Sequence, residues 1–224
     1  MNTASLNGAN KTDAGNGSKA TCRVSNVLRS PSPDPKRSPN KMRPLILLMA
    51  FLSSILRMFG AEPPKPPYKV ADIYQEMRGM VLKLKPTDIG EKDDSKILAL
   101  VMDTGFPEAA FTLLATVDGS ASLYFSNGGG IIGAGGQPEG ASAAKALLAD
   151  ASKFVGKMTA TKETPIVMPG MTTFYIITGK GILTVSAKED DFGEGRHAVS
   201  PLFHKAHELI TIIREIDESR PKRP

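Results

Sequence analysis

The sequence predicts an α+β domain: a single antiparallel sheet of about five strands flanked by three helices, in the order α-β-β-(β)-α-(β)-β-β-α. Three observations carry this. Asp118-Gly119 separates two β-prone runs, Ala109 to Val117 and Ser120 to Ser126, and an Asp-Gly pair between such runs marks a tight hairpin, read as type I′. A second pair of runs, Thr172 to Thr178 and Gly181 to Ala187, flanks Gly179-Lys180 in the same way. Three further segments repeat apolar residues every three or four positions, the period of a helix with one buried face.

The first of these segments carries Val70, Ile73, Met77, Val81 and Leu84, a helix of about 15 residues whose apolar stripe faces the core. Pro86 stops it, and 88–94 is a polar loop. Ile97 to Met102 is a short apolar run of strand length, buried on both faces. Thr104-Gly105-Phe106-Pro107 is a turn into the first hairpin. Ser142 to Val155 is an alanine-rich helix with Ala144, Leu147, Leu148, Ala151, Phe154 and Val155 on one side. Glu163 to Met168 reads as an additional short strand, and Lys188 to Gly195 as an acidic loop. Ser200-Pro201 opens the last helix, serine as N-cap and proline at the first position, with Leu202, Ala206, Leu209, Ile213 and Ile216 as its stripe.

The domain therefore occupies 68–218, with a polar tail at 219–224. Residues 1–41 are rich in Asn, Ser, Gly, Pro and Lys and read as a disordered basic arm. Residues 61–67 form a stiff proline-rich linker. Between them, residues 45–59 hold about a dozen uninterrupted apolar positions, short of the roughly 20 that span a bilayer as a helix. Three readings of the 42–60 segment stand open: a signal-peptide core if translation begins at Met42, an interfacial anchor, or an upstream extension of a gene whose working start is Met58.

The charge is unevenly spread. Residues 1–66 hold ten Lys/Arg against three acids, +7, leaving 18 against 20, or −2, for the remainder of a chain with net charge +5. The folded part thus lacks the basic face that nucleic acid requires. The lone cysteine, Cys22, excludes an intramolecular disulfide and a cysteine-based zinc site, and suits a reducing compartment; the expected location is cytoplasmic, or secreted or membrane-associated if 45–59 is a signal or anchor.

Leu113-Leu114-Ala115-Thr116-Val117-Asp118-Gly119 and the strand after it, set in this element order, resemble the roadblock/longin superfamily within the profilin-like folds. The resemblance covers roughly 68–217 and rests on element order. The glycine cluster at 128–136 and the added length before the central helix depart from the pattern. The resemblance implies a non-enzymatic module that pairs through a helix or sheet edge and holds small GTPases or scaffold partners, and it supplies no catalytic residue.

Two groups of residues are candidate sites. Gly128-x-Gly130-x-x-Gly133 has the spacing of the dinucleotide fingerprint, but no helix follows directly and no Gly-Lys-Ser/Thr completes a phosphate loop. The plainer reading is a glycine bend in the sheet. His204 and His207, three apart on a helix, could chelate a metal with His197 and Glu208 nearby, but no third ligand has a recognisable spacing. The plainer reading is a solvated helix face. Asp118 is the turn residue, Asp93-Asp94 and Asp190-Asp191 are loop charges, and no Gly-x-Ser-x-Gly context supports a serine nucleophile. The expectation is a self-associating interaction or scaffold module, without cofactor, that docks a second copy or another protein through its sheet edge or its first and last helices. The alternative is a regulatory domain that uses 128–136 to bind a phosphate or nucleotide.

Overall fold

A computed structural model describes residues 64–221, so the expectations for 1–63 and for the last three residues lie outside what is described. The α+β class holds, with more elements than the sequence suggested. A single antiparallel sheet of seven strands runs in the order β4-β3-β2-β1-β6-β7-β5, with four α-helices among the described residues. The strands are β1 (Ile97–Gly105), β2 (Ala110–Thr116), β3 (Ala121–Phe125), β4 (Gly130–Ile131), β5 (Thr159–Thr161), β6 (Met171–Thr178) and β7 (Gly181–Lys188). The helices are α1 (Asp72–Leu82), α2 (Pro138–Ala151), α3 (Glu189–Gly193) and α4 (Ser200–Ser219).

The five-strand, three-helix count misses three short elements. β4 lies inside the glycine cluster and pairs Leu123 with Ile131 and Tyr124 with Gly130. β5 uses Thr159–Thr161, pairing Thr159 with Thr184, while the expected strand at 163–168 is irregular because Pro165 and Pro169 each lack a donor for a ladder. The acidic loop contains α3, whose first turn holds Glu189, Asp190 and Asp191, where the helix dipole favours negative charge.

β1 is the centre of the sheet and is buried on both faces, as its unbroken apolar run requires. Its alternation divides the molecule. Leu100 and Met102 join Leu113, Leu123, Phe174 and Ile176 on one face, covered by α2 and α4 through Ala144, Leu147, Leu202, Ala206, Leu209 and Ile213. Ala99 and Val101 join Leu114, Tyr124, Tyr175 and Ile177 on the other, covered by α1 through Tyr74 and Leu82. Alternation puts Asp103 on this second face, fully buried.

The first hairpin closes through three residues rather than a two-residue type I′ turn: the Thr116 N–H bonds the Ser120 carbonyl, and the Gly119 N–H bonds the Thr116 carbonyl. Gly119 supplies the positive φ, +95°. Asp118 Oδ1 accepts the Ser120 N–H at 2.9 Å and the Thr116 hydroxyl. Partial burial alone would raise this carboxyl, but these hydrogen bonds outweigh it and hold it below the usual carboxylate range. Ser200 lies in the first turn of α4 rather than at its N-cap, which is Val199.

Four positions of the expected stripe, Val70, Met77, Val81 and Leu84, pack half-buried against the second face of the sheet, while Ile73 is exposed and the fully buried positions of α1 are Tyr74, Arg78 and Leu82. Arg78 is the unexpected one. The cause is Asp103. Arg78 reaches Asp103 Oδ2 through Nε (2.8 Å) and Nη2 (2.6 Å), with the two groups 5% and 0% exposed. Thr112 donates to Asp103 Oδ1 at 2.6 Å, which leaves the Tyr74 hydroxyl to donate to Thr112 at 2.7 Å. Arg78 also donates to the carbonyls of Thr164 (3.0 Å) and Pro165 (3.1 Å), tying the loop between β5 and β6 to the same cluster. Breaking a buried pair leaves an uncompensated charge. Arg78→Met should therefore cost about 3–5 kcal/mol in urea melts, while Arg78→Met with Asp103→Leu should recover most of that loss. Equal losses for the single and double variants would contradict this account of the pair.

Candidate functional site

With Arg78 buried, two apolar side chains of α1, Ile73 and Met80, project from the helix. Ile73 is 48% exposed and Met80 64%, while Met77 and Leu84 are half-buried. Val70, Met77, Val81 and Leu84 pack against the core of the second sheet face, as an apolar stripe should, and Ile73 and Met80 flank them on the solvent side.

That flank runs beside the β2-β3-β4 side of the sheet. The Ala71 N–H bonds the Ser126 carbonyl at 2.8 Å, fixing the start of α1 at the end of β3. A Cβ on Gly128 would lie 3.2 Å from Ile73 Cγ2, so the β3–β4 turn abuts this flank. Near the end of α1, a groove of about 580 Å³ lies over the sheet, lined by apolar Leu84, Leu114, Tyr124 and Ile132 and by polar Thr116, Asp118, Ser120 and Ser122. Ile132 is 54% exposed. The candidate functional site is therefore a surface with exposed Ile73, Met80 and Ile132 beside a groove of mixed lining. The sequence reading places Val70, Ile73, Met77, Val81 and Leu84 on the core-facing stripe; Ile73 alone of these is exposed, and Met80 lies outside that stripe.

Gly128, Gly130 and Gly133 fall on backbone bends of an antiparallel sheet, not in the parallel βαβ unit that cradles a dinucleotide. The Gly128 N–H bonds the Phe125 carbonyl (2.9 Å), the Gly129 N–H bonds Asn127 Oδ1 (2.9 Å), and the Gly133 N–H reaches Ser122 Oγ (3.4 Å). Donors that a phosphate would need are thus engaged within the fold. Close approach of backbone to backbone accounts for Gly130 and Gly135. A Cβ on Gly130 would stand 2.6 Å from the Leu123 carbonyl oxygen, and one on Gly135 would stand 2.2 Å from the Gly119 carbonyl oxygen. Both neighbours are backbone, so Gly135→Ala should destabilise the domain by about 1–3 kcal/mol in denaturant melts. An unchanged midpoint would contradict this close packing.

The histidines separate. His204 is exposed. His207 is half-buried, its ring 4.3 Å from that of Phe203 and edge-on to Phe111 at 6.4 Å, with Nε2 enclosed and without a hydrogen-bond partner. His197 packs on Phe192 at 4.7 Å, and its Nδ1 accepts the Val199 N–H. Among the described residues, no group of three His, Cys, Asp or Glu side chains is placed to hold a metal ion. His207 is instead part of the seam that joins α4 to the sheet.

Burial, with His204 adding to it, holds the His207 imidazole below its ordinary value. The unfolded chain therefore binds this proton more readily than the folded one. The contribution of His207 to stability is complete above about pH 6.5 and falls as the pH drops below it. In melts from pH 7.5 to 5, His207→Phe should lose less stability than the wild type; parallel curves would contradict this.

Among the described residues, no helix is long and apolar enough to cross a membrane. Comparison with family models, curated proteins and solved structures yields no match to this chain.

Proposed function

We propose that this domain is a non-enzymatic protein-interaction module that docks a protein through the free flank of α1 and the groove beside it. The observation that carries this reading is the exposure of Ile73, Met80 and Ile132 along one side of the molecule while Arg78 occupies the core. Exposed apolar side chains grouped beside a groove mark an interaction surface. The most buried carboxylate, Asp103, has both oxygens engaged by Arg78 and Thr112, so it acts as an anchor for α1. The resemblance in element order to roadblock/longin domains supports the same class of function.

The other docking surfaces suggested by the sequence fit less well. The edge strands β4 and β5 have two and three residues, the blunt edges that discourage strand addition. The outer side of α4 presents His204, Glu208, Thr211 and Glu215, all exposed and polar.

A photo-crosslinking residue placed at position 80 of the full chain in cells tests this reading. A discrete protein adduct from position 80, and none from the exposed control positions 142 and 162, is the expected result. No adduct at 80, together with a nucleotide-dependent rise in melting temperature, would overturn it.

A further inference from the structure

Away from the α1 surface, we propose that the end of the sheet at the β6–β7 turn holds a binding site for a small amphipathic anion of the fatty-acid class. Two adjoining grooves form it, of about 590 and 460 Å³, each within the size range of small-ligand sites. Ser95 and Val155 line both, so the two are continuous. Neither shares a residue with α1 or with the groove beside it.

The floor is apolar because the cover of the first sheet face thins here. α2 ends at Ala151, and the chain turns away after it. Ile97, Val117, Val155 and Leu183 pack on the rim of the first core and stay half-buried. With Leu148 they make an apolar strip that runs through both grooves. An elongated apolar body fits such a strip.

The rim is basic. Lys96 and Lys145 line one groove, Lys162 and Lys180 the other, and all four are exposed. The register of β5 and β7 brings the second pair together: Thr161 pairs with Ile182, so Lys162 continues alongside Gly181 and Lys180. Lys145, Lys162 and Lys180 form no ion pair among the described residues, while Lys96 holds Glu91 at 2.9 Å. Asp93 feels the charges of Lys96 and Lys180, but its Oδ1 already accepts the Ser95 N–H (2.9 Å) and hydroxyl (2.6 Å). Among the described residues no carboxylate lines either groove. A cleft with apolar walls and charges of one sign focuses its field on a counter-ion. A carboxylate held between Lys162 and Lys180, with its chain laid on Leu183 and Val155 and continuing past Ser95 to Ile97 and Leu148, meets both the basic rim and the apolar floor.

Calorimetric titration of the full chain with dodecanoate, below its micelle concentration, tests the assignment. Dodecanoate should bind at micromolar concentration, and uncharged dodecanol about tenfold more weakly. Lys162→Glu with Lys180→Glu should weaken dodecanoate by about tenfold or more. Lys83→Glu with Lys85→Glu, an equal charge change beside α1, should leave its affinity unchanged. Ala160→Trp, which sets a ring into one groove, should also block binding. Residues 1–63 are the same in every variant, so the differences report this site. Circular dichroism confirms that each variant is folded. Failure of dodecanoate to bind, equal affinity for dodecanol, or an equal loss in the two lysine variants overturns the site. Flotation with phosphatidylserine vesicles that Lys162→Glu with Lys180→Glu abolishes, without binding of free dodecanoate, would assign these lysines to a lipid surface and overturn it likewise.

Discussion

The buried pair between Arg78 and Asp103 determines how the rest of the molecule is arranged. An isolated carboxylate at the centre of a sheet is prohibitive, and a guanidinium that supplies two donors to it is the compensation the fold has found. With Arg78 directed inward, α1 buries Tyr74 and Leu82 on either side of it, Val70, Met77, Val81 and Leu84 pack half-buried against the same face, and Ile73 and Met80 are left exposed. The same guanidinium holds the carbonyls of Thr164 and Pro165 and lies 5.4 Å from the centroid of the Tyr175 ring. One pair therefore fixes the helix, the loop between β5 and β6, and the second face of the sheet. Burial, reinforced by the charge of Asp103, pushes the Tyr175 hydroxyl up to about 12, so it stays neutral beside the cation.

Polar satisfaction on this face contrasts with the opposite one. Beneath α2 and α4 the core is almost wholly apolar and closes through alanines, leucines and phenylalanines. Beneath α1 it is mixed, and its specificity comes from hydrogen bonds rather than shape alone. The mixed face is also the one that leaves apolar side chains outside.

Much of this was legible in the sequence, and the exceptions have physical causes. Both hairpins, the central buried strand and the alanine-rich and terminal helices follow from turn residues and periodicity. β4 and β5 were not legible because two or three residues carry too little alternation to register as strands. The burial of Arg78 was not legible because periodicity weighs apolar positions and assigns arginine to solvent; only the position of Asp103 on the second face of the sheet reverses that assignment, and the pair is 25 residues apart in sequence. The glycine cluster was visible, but its role as a place where backbone meets backbone needed the tertiary neighbours of Gly130 and Gly135. His207 was noted for its spacing from His204, whereas its place in the fold comes from Phe111, which is 96 residues away (207 minus 111) and reaches it across the sheet.

The orientation of α1 is the claim on which the functional reading stands. Thiol-labelling rates across the helix measure it directly, using single cysteines at positions 73, 74, 80 and 82 in the full chain with Cys22 replaced by serine, at dilutions where the chain is monomeric. Fast labelling at 73 and 80 with protection at 74 and 82 is the predicted pattern. Protection at 73 and 80 with fast labelling at 74 and 82 would mean that Ile73 and Met80 face the sheet, and would contradict the account.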